Sequence, residues 1–382
     1  MKKIKFAISS LGATRYSTAC FPCLLLRSGF EKANGRVPFL AKMEKHFNTM
    51  IAQIARSALN DKLVGANLFE AVELHLTDPR MFYDPVNWQT NEAMIKRICG
   101  PIASFHSHME FNPILSNYKF NLCDNSLKTR KAIDSQLDVA YRIMNKCPHL
   151  IKTESPVMVF HAGVAKNESD KENALMRTRE SIEYISMVNK QLYETYGKDR
   201  KLIPTIENSA REKLTLGQTV AEWQNIIRGF EDEVKLTLDY GHIQTVRGEK
   251  DKLLKELKES SIGNNIVNLH LHYSPTVDRE REHAHASLSR IPLDDIQGFE
   301  DDILTLVDST AISDQGYITL ELISDDPLDY VSSVLWHAVK HMHVAKKLLE
   351  DSGIKDWTAY RGTSADHLAS LRIAENLIEA HI

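Results

Sequence analysis

Short apolar runs alternate with helix-length amphipathic stretches along almost the whole chain, and most of the runs end in a His, Glu or Asp. In order they are Ile102-Ala-Ser-Phe-His106, Val157-Met-Val-Phe-His161, Leu202-Ile-Pro-Thr-Ile-Glu207, Val234-Lys-Leu-Thr-Leu-Asp239, Ile266-Val-Asn-Leu-His270 and Ile318-Thr-Leu-Glu321. Lys5 to Ser9 and Ala71 to Leu76 are two earlier strand signals. Between the strands, helical spacing predicts helices over Met43–Leu59, Ala132–Met144, Ser181–Tyr196, Thr219–Phe230, Lys250–Leu257, Asp295–Leu306 and Tyr330–Leu349. Buried parallel strands read as continuous apolar runs, and functional side chains gather at their C-terminal ends. Eight strand signals in strict alternation predict an α/β fold, an eight-stranded parallel (β/α)8 barrel with one working rim. An open doubly wound sheet would concentrate its polar ends at a switch point instead of spreading them over nearly every strand.

With 382 residues the chain is long enough for one barrel, which takes about 250 to over 400 residues with insertions. Residues 1–352 are expected to form a single metal-dependent catalytic domain, with an extended loop region from Leu11 to Val37. Residues 353–382 are expected to form a C-terminal helical extension. Apolar residues at 43% and charged residues at 26% are ordinary for a globular protein, and no run nears the ~18 apolar residues of a membrane span. The expectation is a cytoplasmic protein with no membrane partner. Five cysteines, an odd number, fit a reducing compartment, and the lone Cys20-Phe-Pro-Cys23 lacks the second pair a zinc ribbon needs. A net charge of −4 provides no global field for nucleic acid, leaving only local basic groups such as Lys128-Thr-Arg130-Lys131.

A lone His at a strand end is usually a hydrogen-bonded rim residue. Here Glu207, Asp239 and Glu321 would converge with several imidazoles, and converging carboxylates repel unless a proton or cation neutralises them. Such donors suit Zn²⁺, or Mn²⁺ where carboxylates dominate. Period-2 geometry puts His108 on the face of His106 and His272 on that of His270. Asp239-Tyr-Gly-His242 offers a carboxylate and, after a Gly turn, an imidazole, while Glu282-His283-Ala-His285 supplies two more from a loop.

These elements resemble the xylose isomerase-like barrels, and among them the endonuclease IV family, over about residues 70 to 325. The matching motifs are Ser104-Phe-His106, Val159-Phe-His161-Ala-Gly163, Glu207-Asn-Ser-Ala210, Asp239 with His242, His270-Leu-His272-Tyr-Ser274, His283-Ala-His285-Ala-Ser-Leu288 and Glu321. The resemblance implies two to three divalent ions, with the ligands grouped by position: His106, His161 and Glu207; Glu207 again with Asp239, His270 and Glu321; and His242, His283 and His285. It implies hydrolysis of a phosphodiester, DNA included, with Glu207 as the catalytic residue. Arg80, in a turn similar to a DNA-contacting one, is an expected substrate-binding residue, with His108 and His272. The chain departs from that family where His283 replaces an Asp and where Met109-Glu-Phe111 follows His108. Sugar isomerases or epimerases of the same superfamily are the alternative; they are similar in holding one metal, here by Glu207, Asp239, His270 and Glu321.

Overall fold

A computed structural model describes residues 6–9, 71–76, 102–107, 120–196, 199–210, 214–245, 250–274, 291, 295–312 and 316–321. Eight parallel strands close on themselves in chain order. They are β1 (Phe6–Ser9), β2 (Ala71–Leu76), β3 (Ile102–Ser107), β4 (Val157–His161), β5 (Ile203–Glu207), β6 (Lys235–Asp239), β7 (Ile266–Leu271) and β8 (Ile318–Leu320). Closure is made by the first and last strands, with Phe6, Ala7 and Ile8 opposite Ile318, Thr319 and Leu320.

Alternation along each strand sorts the side chains. Leu74, Leu76, Phe105, Met158, Phe160, Ile206, Leu236, Leu238, Leu269 and Leu271 join one apolar cluster with the surrounding helices. The other face points inward. Glu73 on β2 lies 3.1 Å from His270 on β7, and since β8 and β1 separate those strands around the ring, the contact crosses the interior. Branched apolar residues usually fill a barrel of this kind. Here the positions toward the strand C-termini carry Glu73, His75, Ser104, His106, Thr205, Glu207, Thr237, Asp239, Asn268, His270 and Thr319, all buried.

The described helices are α1 (Leu127–Lys146), α2 (Lys171–Tyr196), α3 (Val220–Ile227), α4 (Tyr240–Gln244), α5 (Lys250–Glu259) and α6 (Ile296–Ser309). The first two begin earlier than the apolar spacing predicts, at Leu127 and Lys171, because their opening turns are mostly polar and carry no regular apolar stripe. Ser126 caps α1, its Oγ accepting from Thr129 N at 3.3 Å, and supplies the start signal that periodicity lacks. Helix α1 packs on α2 with the Tyr141 hydroxyl donating to Asn189 Oδ1 at 2.8 Å. β4, β5 and β6 end where their apolar runs end, so the terminal His161, Glu207 and Asp239 are themselves strand residues. The Gly turn expected between Asp239 and His242 is instead the first turn of α4, which Asp239 caps.

Lys128 and Arg130 lie on the exposed first turn of α1, where the Arg130 guanidinium sits 5.2 Å from the Tyr184 ring centre. Cys123 and Cys147 are buried. Among the described residues no helix is long and apolar enough to cross a membrane. The predicted helices at Met43–Leu59 and Tyr330–Leu349, the loop at 11–37 and the extension at 353–382 lie outside the described residues.

Candidate metal centre

Four strand ends deliver His106, Glu207, His270 and Glu321 to one place, with a ligand atom from each within 4.8 Å of the others. Glu207 faces two ways. Its Oε2 lies 3.2 Å from His106 Nε2 and 3.6 Å from His161 Nδ1, and its Oε1 lies 3.4 Å from His270 Nδ1 and 3.6 Å from His242 Nδ1. Glu321 Oε2 is 3.0 Å from His270 Nδ1 on the other side. Glu207 Oε1 and His270 Nδ1 are buried and make no hydrogen bond, although a buried polar atom without a partner is costly. Lone pairs converging from carboxylates and imidazoles are the donor set of a borderline divalent cation, so these residues fit a metal ion.

Backbone carbonyls select the tautomers. His106 Nδ1 is 2.7 Å from Ser107 O, so that nitrogen donates there, and Nε2, 3.2 Å from Glu207, is the atom that offers a lone pair once a cation displaces its proton. His242 Nδ1 is likewise 2.8 Å from Asn208 O. Asn208, in the Glu-Asn-Ser-Ala segment, clamps β5 to β6: its Oδ1 accepts from Asp239 N at 2.5 Å and its Nδ2 donates to Asp239 O at 3.0 Å. After β4, Gly163 holds a left-handed φ of 103°, and Asn121 Oδ1 accepts from the next amide, Val164 N, at 2.9 Å.

A second donor set, Asp239, His242 and His272, is equally compact. Asp239 Oδ1 accepts from His242 N at 2.7 Å and lies 2.9 Å from His272 Nε2. His272 Nδ1 is 3.3 Å from Ser274 Oγ. The ring of His272 occupies the space that a side chain at 241 would need, a Cβ there coming within 2.2 Å of its Cε1. That close approach is why Gly stands at 241.

The structure therefore brings together His106, His161, Glu207, His242, His270 and Glu321 around Glu207 and its neighbours. It groups Asp239 with His242 and His272, with Asp239 standing beside His270 as its register partner between β6 and β7. His272, expected to bind substrate, is wholly buried against Asp239. His108, Arg80, His283 and His285 lie outside the described residues. Two residues were missed in the sequence. Glu73 is fully buried and accepts from Ser104 Oγ at 2.9 Å. His75 stacks on His106 with ring centres 4.3 Å apart, its Nε2 lying 3.5 Å from Glu73 Oε1 and 3.7 Å from Glu321 Oε1. The Glu-x-His spacing on β2 was the available signal.

Mutual neutralisation governs the protonation of the cluster. Burial opposes charge on Glu207, yet the imidazoles of His161, His270 and His106 hold its carboxyl well below the usual range. Burial likewise opposes charge on His106, but Glu207, Glu321 and Glu73 raise it to about 9. The same balance raises His270 well above its ordinary value, through Glu73, Glu321 and Glu207. Desolvation wins at His161, which falls to about 4. In the absence of metal, protons on His106 and His270 do the neutralising a cation would do.

Residues 65–338 match the model of the xylose isomerase-like TIM barrel family. The chain belongs to that family. A sequence search against curated proteins finds no match. Among solved structures, a D-tagatose 3-epimerase-like protein is similar at 18% identity and a TM-score of 0.52, over 75% of this chain and 94% of that one. D-psicose 3-epimerase from Clostridium cellulolyticum aligns at 15% identity and a TM-score of 0.46, covering 77% of this chain and 93% of that chain. Endonuclease IV from Thermus thermophilus aligns at 15% identity and a TM-score of 0.45, over 78% and 94% respectively. At 18% identity, the first likeness speaks to the fold alone.

Proposed function

We propose that this protein is a divalent-metal-dependent phosphoesterase that hydrolyses a phosphodiester bond with an activated water. Zn²⁺ in two or three positions is the proposed cofactor, with Mn²⁺ the alternative. The observation that carries the reading is the split of Glu207. Its two carboxylate oxygens face different imidazoles, while Asp239, His242 and His272 form a separate donor set alongside. A single ion does not need so many donors, and a carboxylate opening to both sides is suited to bridging two ions. Divalent ions bound there would lower the pKa of water and offset charge on the phosphoryl oxygens. Glu207, fixed as the last residue of β5, orients the attacking water between the two sides. His161, whose side chain is 25% exposed where Glu207 beside it is buried, is kept neutral near pH 7 by desolvation, the state in which an imidazole can ligate a cation. DNA is one carrier of such a bond; Arg80, His108, His283 and His285 remain proposed contributors on the sequence alone.

The sugar isomerase or epimerase reading has one observation of its own. Glu207 and Glu321 flank His270 at 3.4 and 3.0 Å, so two carboxylates stand close enough to pass a proton between adjacent substrate carbons. A paired experiment separates the two. Purified protein is assayed for metal content, for nicking of an abasic-site duplex and of simple phosphodiesters, and for turnover of a ketose and aldose panel. The phosphoesterase reading expects two or more Zn²⁺ per chain and cleavage that drops at least about 100-fold, with metal loss, in Glu207→Gln. One ion per chain with sugar turnover, or full metal content and activity in Glu207→Gln, would overturn it.

A further inference from the structure

Strand β2 brings a carboxylate into the barrel that the proposed chemistry does not use. Glu73 sits one layer beneath the rim, fully buried, with Oε2 3.1 Å from His270 Nε2 and 2.9 Å from Ser104 Oγ. An ionised carboxylate can only accept, so the proton of the His270 ring belongs on Nε2. The amide of Asn268 lies 3.2 Å from the same nitrogen. The atom placed there is the donor Nδ2 while Oδ1 makes no hydrogen bond, and exchanging the two by an amide flip lets Oδ1 accept from Nε2–H. The opposite ring nitrogen, Nδ1, is then left with its lone pair directed between Glu207 Oε1 and Glu321 Oε2.

We propose that Glu73 is the positioning residue of the metal centre: by taking the Nε2 proton of His270 it fixes the tautomer and ring angle that offer Nδ1 to the cation, with Ser104 holding the carboxylate in place. The inference rests on reading the rim as a metal centre, and is independent of which substrate it serves. A carboxylate behind a ligating imidazole raises the basicity of the ring and removes its freedom to rotate. Glu73 also lies near His75 and His106, a trio compact enough to hold an ion of its own. His106 argues against that use. Its Nδ1 proton goes to Ser107 O and its single remaining lone pair, on Nε2, already faces Glu207, so it cannot complete a second site without leaving the first.

Zn²⁺ affinity and stoichiometry, measured by chelator competition on the full chain, test the assignment together with ¹⁵N imidazole shifts. In the Zn²⁺-loaded wild type the His270 ring should show Nε2 protonated and Nδ1 bound to metal. Glu73→Gln, which keeps the shape but weakens the acceptor, should bind the same number of ions about 10- to 100-fold more weakly, and Glu73→Ala more weakly still. Ser104→Ala should cause a smaller loss, since the carboxylate remains. A proton on His270 Nδ1 in the Zn²⁺-loaded wild type overturns the proposal without any variant having to fold. So does unchanged affinity in a folded Glu73→Gln, or the loss of one whole equivalent at undiminished affinity for the rest, which would make Glu73 a ligand. Wild-type protein that takes up no Zn²⁺ sinks the metal reading and this proposal together, whereas normal uptake with an indifferent Glu73→Gln sinks the proposal alone.

Discussion

Gly241 shows how far one residue can be dictated by its neighbour. In a helix, Gly→Ala normally stabilises by about 1 kcal/mol, because Ala restricts the unfolded chain. At this position the expected sign is opposite. A Cβ at 241 would meet the His272 ring at 2.2 to 2.4 Å, and that ring is held by Asp239 on one side and Ser274 on the other. Gly241→Ala should therefore cost about 1–3 kcal/mol, read as a lowered midpoint in urea denaturation. An unchanged or raised midpoint would show that the ring yields freely. The sequence made the glycine visible but not its reason, since the contact joins positions that only the fold brings together. Glu73 and His75 were illegible for a different reason. In Ala-Val-Glu-Leu-His-Leu the polar residues alternate with apolar ones, which in an open sheet marks a solvent face; in a closed barrel the same face is the interior.

At the level of elements, the strands were legible nearly to the residue because most are short, largely apolar runs closed by a polar residue, and the order of those polar ends gave the rim. The starts of α1 and α2 were not. Leu127 to Lys131 has no apolar stripe, and α1 begins there because Ser126 meets one of the free amides of the first turn. Ser126→Ala should lower stability by about 0.5–2 kcal/mol with no effect on metal affinity, measured by chemical denaturation beside the Zn²⁺ titration. A coupled loss of metal would mean that α1 helps shape the centre. The Asp239-Tyr-Gly-His segment misled in the same way. Gly suggested a turn, yet Asp239 serves at once as strand end, helix cap and partner of His272. One side chain with three jobs leaves no separate signal for each.

Across the whole molecule, the buried charges make stability depend on pH and on metal together. His106 has its proton held up to about 9 in the fold against 6.5 ordinarily, so its contribution is complete below about 6.5 and fades as pH rises through 9. His161 is depressed to about 4, so its contribution is complete above about 6.5 and fades toward pH 4. Metal-free protein should thus be most stable near pH 6.5 and weaken on both sides. Added Zn²⁺, which replaces the proton on His106, should abolish the alkaline decline; denaturation midpoints at pH 5, 6.5 and 9, with chelator and with Zn²⁺, would check it. Alkaline weakening that persists with bound Zn²⁺ would separate the decline from the cluster. The same cluster spans the place where the ring is shut. β1 meets β8 over three residue pairs, and the side chains of His75 on β2 and Glu321 just after β8 reach toward each other across that short seam. A bound ion would therefore act as a clasp on the join between the two ends of the sheet, so that stripping it should let amide hydrogens along the closing strands exchange sooner than those of β4 to β6, long before the rest of the barrel lets go.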